Sequence, residues 1–294
     1  MHLLHCDPFP VPLPAGHPFP MAKYGALRRE LEALGFADRL NAAEEAPLAA
    51  LEAVHDPSYV AAFVGGTLDR AAERRLGFPW SKELVARCRA STGATLAAAG
   101  LALEHGTAGV LAGGTHHAHR GFGAGYCAFN DIAVAATWLL GRRAAERILV
   151  VDVDVHQGDG TAAIFAEEPR VFTLSLHGAR NFPARKAVGD LDVELDDGTE
   201  DAVYLAALQP ALEEAFARAR PDFVFVQGGV DPLHSDHLGR LNVSHAGLEA
   251  RDRAVLHAAR GLPLVWTLGG GYSRPIDGTL AAHVASFRAL AKRP

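Results

Sequence analysis

The segment VVDVDVHQGDG at residues 150–160 places three metal-competent groups, Asp152, Asp154 and His156, at every second position. On an extended strand such residues share a face, about 6.6 Å apart per pair. The run before them, 148–151, is apolar enough for a central strand. Charged groups leaving such a strand are costly to bury unless they are paired or bound to metal. The alternative is a solvated strand-to-loop junction with chance carboxylates. A catalytic zinc ion takes about three protein ligands and keeps one position open for water. Asp154 and His156 supply two. The third is expected from another strand end, where VQGGVDPLHSD offers Asp231 with His234 and Asp236 close behind. The glycines before Asp231 permit a tight approach of backbone to metal and favour that residue.

Two further motifs carry chemistry of their own. GGTHHAH sets His116 and His117 side by side in a loop, as ligands, as general acid and base, or merely as solvated groups. A histidine used as a base needs a carboxylate to orient it and tune its basicity. Asp152 and Asp159 are spare for that purpose. LGGGYS at 268–273 presents Tyr272 after three glycines. Its hydroxyl either packs or donates a hydrogen bond to a carbonyl oxygen as it becomes an oxyanion.

These motifs must be positioned by ordered elements. Apolar runs at 108–112, 147–153, 171–176, 222–227 and 263–268, with a weaker one at 2–5, read as buried strands. Helical stretches lie between them at about 21–34, 81–105, 130–143, 200–219, 245–260 and 277–291. Continuous apolar strands alternating with amphipathic helices predict a single α/β domain over 1–294, a mainly parallel sheet covered on both faces. Ligands in such folds bind beyond the carboxyl ends of the strands, and every chemical motif above lies in such a loop. Residues 7–20, with six prolines, read as an extended surface segment.

Composition narrows the function. At 49% hydrophobic and 21% charged the chain has a globular balance. A net charge of −6 argues against nucleic acid as a partner. No apolar run reaches membrane-spanning length, the start lacks the pattern of a secretory signal, and three scattered cysteines indicate no disulfide framework. A cytoplasmic setting is expected.

Taken in order, the motifs resemble the histone deacetylase family: HDPSYV (55–60), GGTHHAHRGFGAGYCAFND (113–131), VVDVDVHQGDGT (150–161), TLSLH (173–177), QGGVDPLHSD (227–236) and LGGGYS (268–273). GHPFPMAKY (16–24) and the glutamine of DVHQGDG are similar to the class IV branch and its bacterial relatives. The resemblance implies the arginase/deacetylase fold, a three-layer αβα domain, and hydrolysis of acyl-lysine by metal-activated water. Asp154, His156 and Asp231 would bind Zn²⁺, although such a donor set also accepts Fe²⁺ or Co²⁺. His116 and His117 would move protons, paired with Asp152 and Asp159 respectively, and Tyr272 would polarise the scissile carbonyl. Gly125, Tyr126 and Phe182 would line a narrow tunnel. A structural K⁺ would use the Asp152 side chain, carbonyls of Asp154, His156 and Leu176, and Ser175. Gln157 replaces a histidine common in the larger classes, and Tyr126 a phenylalanine. A short loop, 177–190, carries Arg180, Arg185 and Lys186 at the rim.

The implied partner is an acyl-lysine protein or peptide. Acetylpolyamines or another small N-acyl amine are the alternative. Two rivals are weaker. A binuclear manganese ureohydrolase would need a further carboxylate where Gly158 stands, and a silent acyl-binding scaffold would be expected to lack a ligand, a tandem histidine or the tyrosine.

Overall fold

The computed structural model describes residues 1–293. Eight parallel strands form one sheet: β1 (His2–His5), β2 (Leu40–Ala42), β3 (Thr107–Val110), β4 (Ile148–Asp152), β5 (Val171–Gly178), β6 (Leu191–Leu195), β7 (Phe223–Gln227) and β8 (Leu264–Thr267). Their order across the sheet is β2-β1-β3-β8-β7-β4-β5-β6. The helices are α1 (Ala22–Leu31), α2 (Leu48–Glu52), α3 (Pro57–Gly65), α4 (Arg70–Leu76), α5 (Lys82–His105), α6 (Asp131–Gly141), α7 (Asp159–Phe165), α8 (Asp201–Ala219), α9 (His245–Ala258) and α10 (Asp277–Ala291).

Strand alternation divides the core in two. Ile148 and Val150 of β4 join Phe223, Phe225 and Val265 under α5 and α6. Leu149 and Val151 join Val224, Val226 and Trp266 under α8, α9 and α10. With both faces covered, every residue of β4 and β7 is buried, each large aliphatic contributing roughly 1.5–3 kcal/mol. Local signals fix the helix ends. Ser81 caps α5 through a 3.0 Å bond from Leu84 N–H, and Gly106 ends it at φ 77°. Asn130 caps α6 through Ala133 N–H at 3.0 Å.

The six expected strands and six expected helices are all present. Two edge strands, β2 and β6, escaped the reading because they are short and largely uncovered, as did the short helices α2, α3, α4 and α7. Helix α1 ends at Leu31 rather than near 34, and the chain continues into a wide turn through Gly35, at φ 87°. The proline-rich segment is more than a surface strap. Val11 and Phe19 within it are buried, and it folds over the loop ends of the central strands. No helix of the described residues is long and apolar enough to cross a membrane.

Candidate active site

Asp154 and His156 follow β4, and Asp231 follows the adjacent β7. His156 Nδ1 lies 3.0 Å from Asp154 Oδ1 and 3.1 Å from Asp231 Oδ2, and one donor atom of each falls within 4.8 Å of the others. The extended-strand spacing expected for these residues does not persist. The strand ends at Asp152, whose carboxylate accepts Asp154 N–H at 3.1 Å, and Asp154 in turn accepts His156 N–H at 3.0 Å. These local side-chain turns curl the chain and bring the donors together. Of the other third-ligand candidates, His234 is exposed. Asp236 instead braces a loop, accepting from the amides of Leu238 and Gly239 at 2.9 and 3.0 Å.

The triad fits a dication. Two carboxylates and one imidazole converge with Asp154 and Asp231 at most 1% exposed, a concentration of negative charge that needs a positive partner. Burial and the Asp154 charge push Asp231 up to about 7. Against the effect of burial, hydrogen bonds to Asp154 and Asp231 bring His156 up to about 10. Both shifts say that the cluster draws positive charge. The outward lone pairs are already committed: Asp154 Oδ2 accepts from Gly270 N–H at 2.8 Å and Asp231 Oδ1 from Val155 N–H at 2.9 Å. Two glycines make room, since a Cβ on Gly229 would meet Asp154 Oδ2 at 2.1 Å and one on Gly270 would meet Asp231 Oδ2 at 2.0 Å. Three protein donors beside an open pocket is the pattern of a catalytic zinc site.

The tandem histidines follow β3, with ring centroids 4.1 Å apart. His116 Nδ1 meets Asp152 Oδ2 at 2.6 Å and His117 Nδ1 meets Asp159 Oδ1 at 2.6 Å. The expected pairing thus occurs, and Nε2 is the free ring nitrogen of each. Their environments differ. Burial presses His116 down, but the Asp152 and Asp154 carboxylates outweigh it and bring the ring up to about 9. For His117 burial dominates, reinforced by His116, and the ring falls to about 4 despite Asp159. Asp159 also accepts from His119 at 3.0 Å, and these two hydrogen bonds overcome burial to hold it below the usual carboxylate range. The loop is anchored by buried Asp131, which accepts from the amides of Gly114 and Thr115 at 3.0 and 2.7 Å. Sequence reasoning did not single out this anchor.

Tyr272 follows β8, on the other side of β7 from β4. It borders the same pocket, of about 500 Å³, as the triad, the tandem histidines and Gly125, Tyr126 and Phe182, the residues expected to line a tunnel. Phe182 stands edge-on to His117, centroids 4.7 Å apart, and is 45% exposed at the rim. Lys186 fastens its loop, donating to the carbonyls of Ala179, Asn181 and Pro183 at 2.6–3.1 Å. Arg180 also borders the pocket; Arg185 is exposed. Phe19 and Lys23 escaped the sequence reading as site residues. Phe19 lies 5.0 Å from the Tyr126 ring and 6.1 Å from Tyr272. Lys23 donates to Gly271 carbonyl at 3.1 Å and sits 4.8 Å from the Tyr272 ring centre; burial lowers its ammonium to about 8, outweighing the upward pull of the Asp231, Asp236 and Asp154 carboxylates. The only signal for them was the GHPFPMAKY resemblance.

Behind the triad, buried Arg251 donates to the carbonyls of Val153 and Gly229 at 3.3 and 2.5 Å, tying together the two loops that carry the donors. Asp252 holds the guanidinium at 2.8 Å. Asp152 and Ser175 are register partners on β4 and β5, with Leu176 next in line; Ser175 Oγ meets His177 Nδ1 at 2.9 Å. Gln157 is buried away from the triad, bonded to Ala187 and Asp192 at 2.8–2.9 Å.

The family model described as "Histone deacetylase domain" matches residues 17–287. The chain belongs to the histone deacetylase family. It is 44% identical over 282 residues to an uncharacterised protein of Picosynechococcus sp., covering 95% of this chain and 94% of that one. Histone deacetylase 2 of Arabidopsis thaliana is 32% identical, with 88% of this chain and 70% of the relative covered. Among solved structures, the HDA15 HD domain superposes with a TM-score of 0.84 at 24% identity, covering 99% of this chain and 91% of that one. A histone deacetylase homologue solved in complex with SAHA gives 0.86 at 24% identity, over 100% and 84%. These likenesses establish the arginase/deacetylase fold. Family membership supports deacetylase activity, the hydrolysis of an amide.

Proposed function

We propose that this deacetylase-family chain is a zinc-dependent deacylase that removes an acyl group from the side-chain nitrogen of acyl-lysine. The observation that carries the reading is the convergence of Asp154, His156 and Asp231 beside two buried histidine–carboxylate pairs in one pocket. Bound by those three residues, zinc would polarise the acyl carbonyl and lower the pKa of a water molecule.

The chain's own groups do the rest. One neutral tandem histidine accepts the water proton at Nε2, its Nδ1 being held by a carboxylate. Tyr272 donates its hydroxyl to the developing oxyanion, its ring held against Lys23 and Phe19. His117, flanked by Gly125 and Phe182, delivers a proton to the departing amine. Gly125, Tyr126 and Phe182 exclude water along the aliphatic stem. A structural potassium would sit where Asp152 meets Ser175, drawing on the carbonyls of Asp154, His156 and Leu176.

The zinc-loaded protein is expected to hydrolyse a lysine peptide carrying acetyl, octanoyl or myristoyl groups, and His117→Ala to abolish turnover. The acyl length hydrolysed fastest places the chain among deacylases. No hydrolysis of any of these peptides, nor of the same peptide carrying a succinyl or glutaryl group, by zinc-loaded protein would overturn the acyl-lysine assignment and favour a polyamine or metabolite amide.

A further inference from the structure

A smaller cavity, of about 60 Å³, adjoins the catalytic pocket. The two share Phe19, Tyr24, Gly113, Thr115 and Tyr126, whereas the exposed Phe182 and Arg180 line the larger pocket alone. If lysine enters at the Phe182 rim, the acyl chain points into this cavity.

Arg87 of α5 borders it and is 8% exposed. Its Nη1 donates to Cys6 carbonyl at 2.9 Å, and its guanidinium lies 4.5 Å from the Tyr24 ring centre. Nη2 is buried without a partner. The carboxylates of this region are committed elsewhere: Asp7 pairs with Arg28 at 2.5 Å, and Asp131 accepts from Thr95, Gly114 and Thr115. One helical turn on, Ser91 borders the same cavity. Its Oγ accepts Gly113 N–H at 3.0 Å, which leaves the hydroxyl proton free to donate. A buried guanidinium without counter-charge is costly, and its planar fork matches a carboxylate.

Resting on the deacylase reading, we propose that this cavity is a carboxylate subsite and that the acyl group is the half-amide of a short dicarboxylic acid, of the succinyl or glutaryl class. The distal carboxylate meets Arg87 and Ser91 while the amide carbon stands at the catalytic groups. One water cleaves the amide C–N bond, its oxygen joining the acyl carbon and its proton leaving with the lysine amine, so the products are a dicarboxylate and free lysine.

The test compares glutaryl-lysine with pentanoyl-lysine, which has the same carbon count, on one peptide and the zinc-loaded full chain. Glutaryl is expected to lead in kcat/KM by about tenfold or more, the scale of a charged hydrogen bond. Arg87→Met should bring the ratio to one or below, and Arg87→Lys should keep part of it. A wild-type preference for pentanoyl overturns the proposal while leaving the deacylase reading intact, whether or not either variant folds. If no peptide is cleaved, the deacylase reading fails. Calorimetric titration with glutarate then judges the cavity alone, and binding absent from wild type or unchanged in Arg87→Met overturns the subsite. Acetate binding as tightly as glutarate, with both peptides cleaved alike, assigns the cavity to released acid and also overturns it.

Discussion

The floor of the pocket and its rim are built on different terms. The floor comes from the carboxyl ends of neighbouring strands, where Asp152, Asp154 and Asp231 are at most 3% exposed and each carboxylate is held by backbone amides or a histidine. The rim comes from segments remote in the chain, Phe19 from the proline-rich strap, Tyr126 from the loop before α6 and Phe182 from the loop after β5. Rim groups touch through aromatic contacts, and Phe182 is half exposed. On the deacylase reading the reacting groups are fixed by the sheet, whereas contact with the substrate's exposed part falls to a wall that can vary without disturbing them.

Substitutions at the two places should separate in size and in kind. Tyr272→Phe, at the floor, should lower kcat by about 10²–10³, the cost of an oxyanion donor, with the melting temperature unchanged. Unaltered turnover would remove Tyr272 from the chemistry.

The floor's support should show in acid. His55 donates or accepts at both ring nitrogens, with His119 carbonyl at 2.8 Å and Asn130 N–H at 3.0 Å, and the second bond requires a neutral ring. Burial lowers its pKa to about 4 from 6.5. Between those values the unfolded chain binds the proton and the folded one does not, so stability falls as pH drops from 6.5 to 4. The loss is about 3 kcal/mol, roughly 10² in the folding equilibrium. Urea melts at pH 7 and 4.5 should show a difference that shrinks in His55→Asn. An undiminished difference would shift the acid sensitivity to other histidines.

Arg251→Met should weaken zinc binding by about 10–100-fold, as for supports of metal ligands generally, measured by competition with a chromophoric chelator. Retained affinity in folded protein would mean that the Val153 and Gly229 carbonyls hold their place without it. Smallest, Phe182→Ala at the rim should raise KM a few-fold and leave kcat near its original value, since an exposed ring lends binding common to ground and transition states. A larger effect on kcat would make the ring part of His117's orientation and blur the division between floor and rim.

Much of the floor was legible because its signals are local. Continuous apolar runs marked β4 and β7, glycines marked the turns after them, and the Asp and His motifs stood at the strand ends where parallel sheets bind ligands. Asp154, His156, His116, His117, Tyr272 and their carboxylates could be named from those signals and the family resemblance. Short edge strands were not legible because they are largely uncovered, and the short helices because five to nine residues are too few for a periodic pattern to recur.

The sequence determined which residues can bind metal and move protons, since composition, strand alternation and capping act over a few positions. Only the tertiary structure decided who meets whom. The order β3-β8-β7-β4 sets the loops of Tyr272, Asp231 and Asp154 side by side, although these residues lie up to 118 positions apart in the chain. It also brought Phe19, Lys23, Arg87 and Arg251 to the site. Their placement depends on packing between distant segments, where the burial of one side chain is set by surfaces that no local pattern encodes.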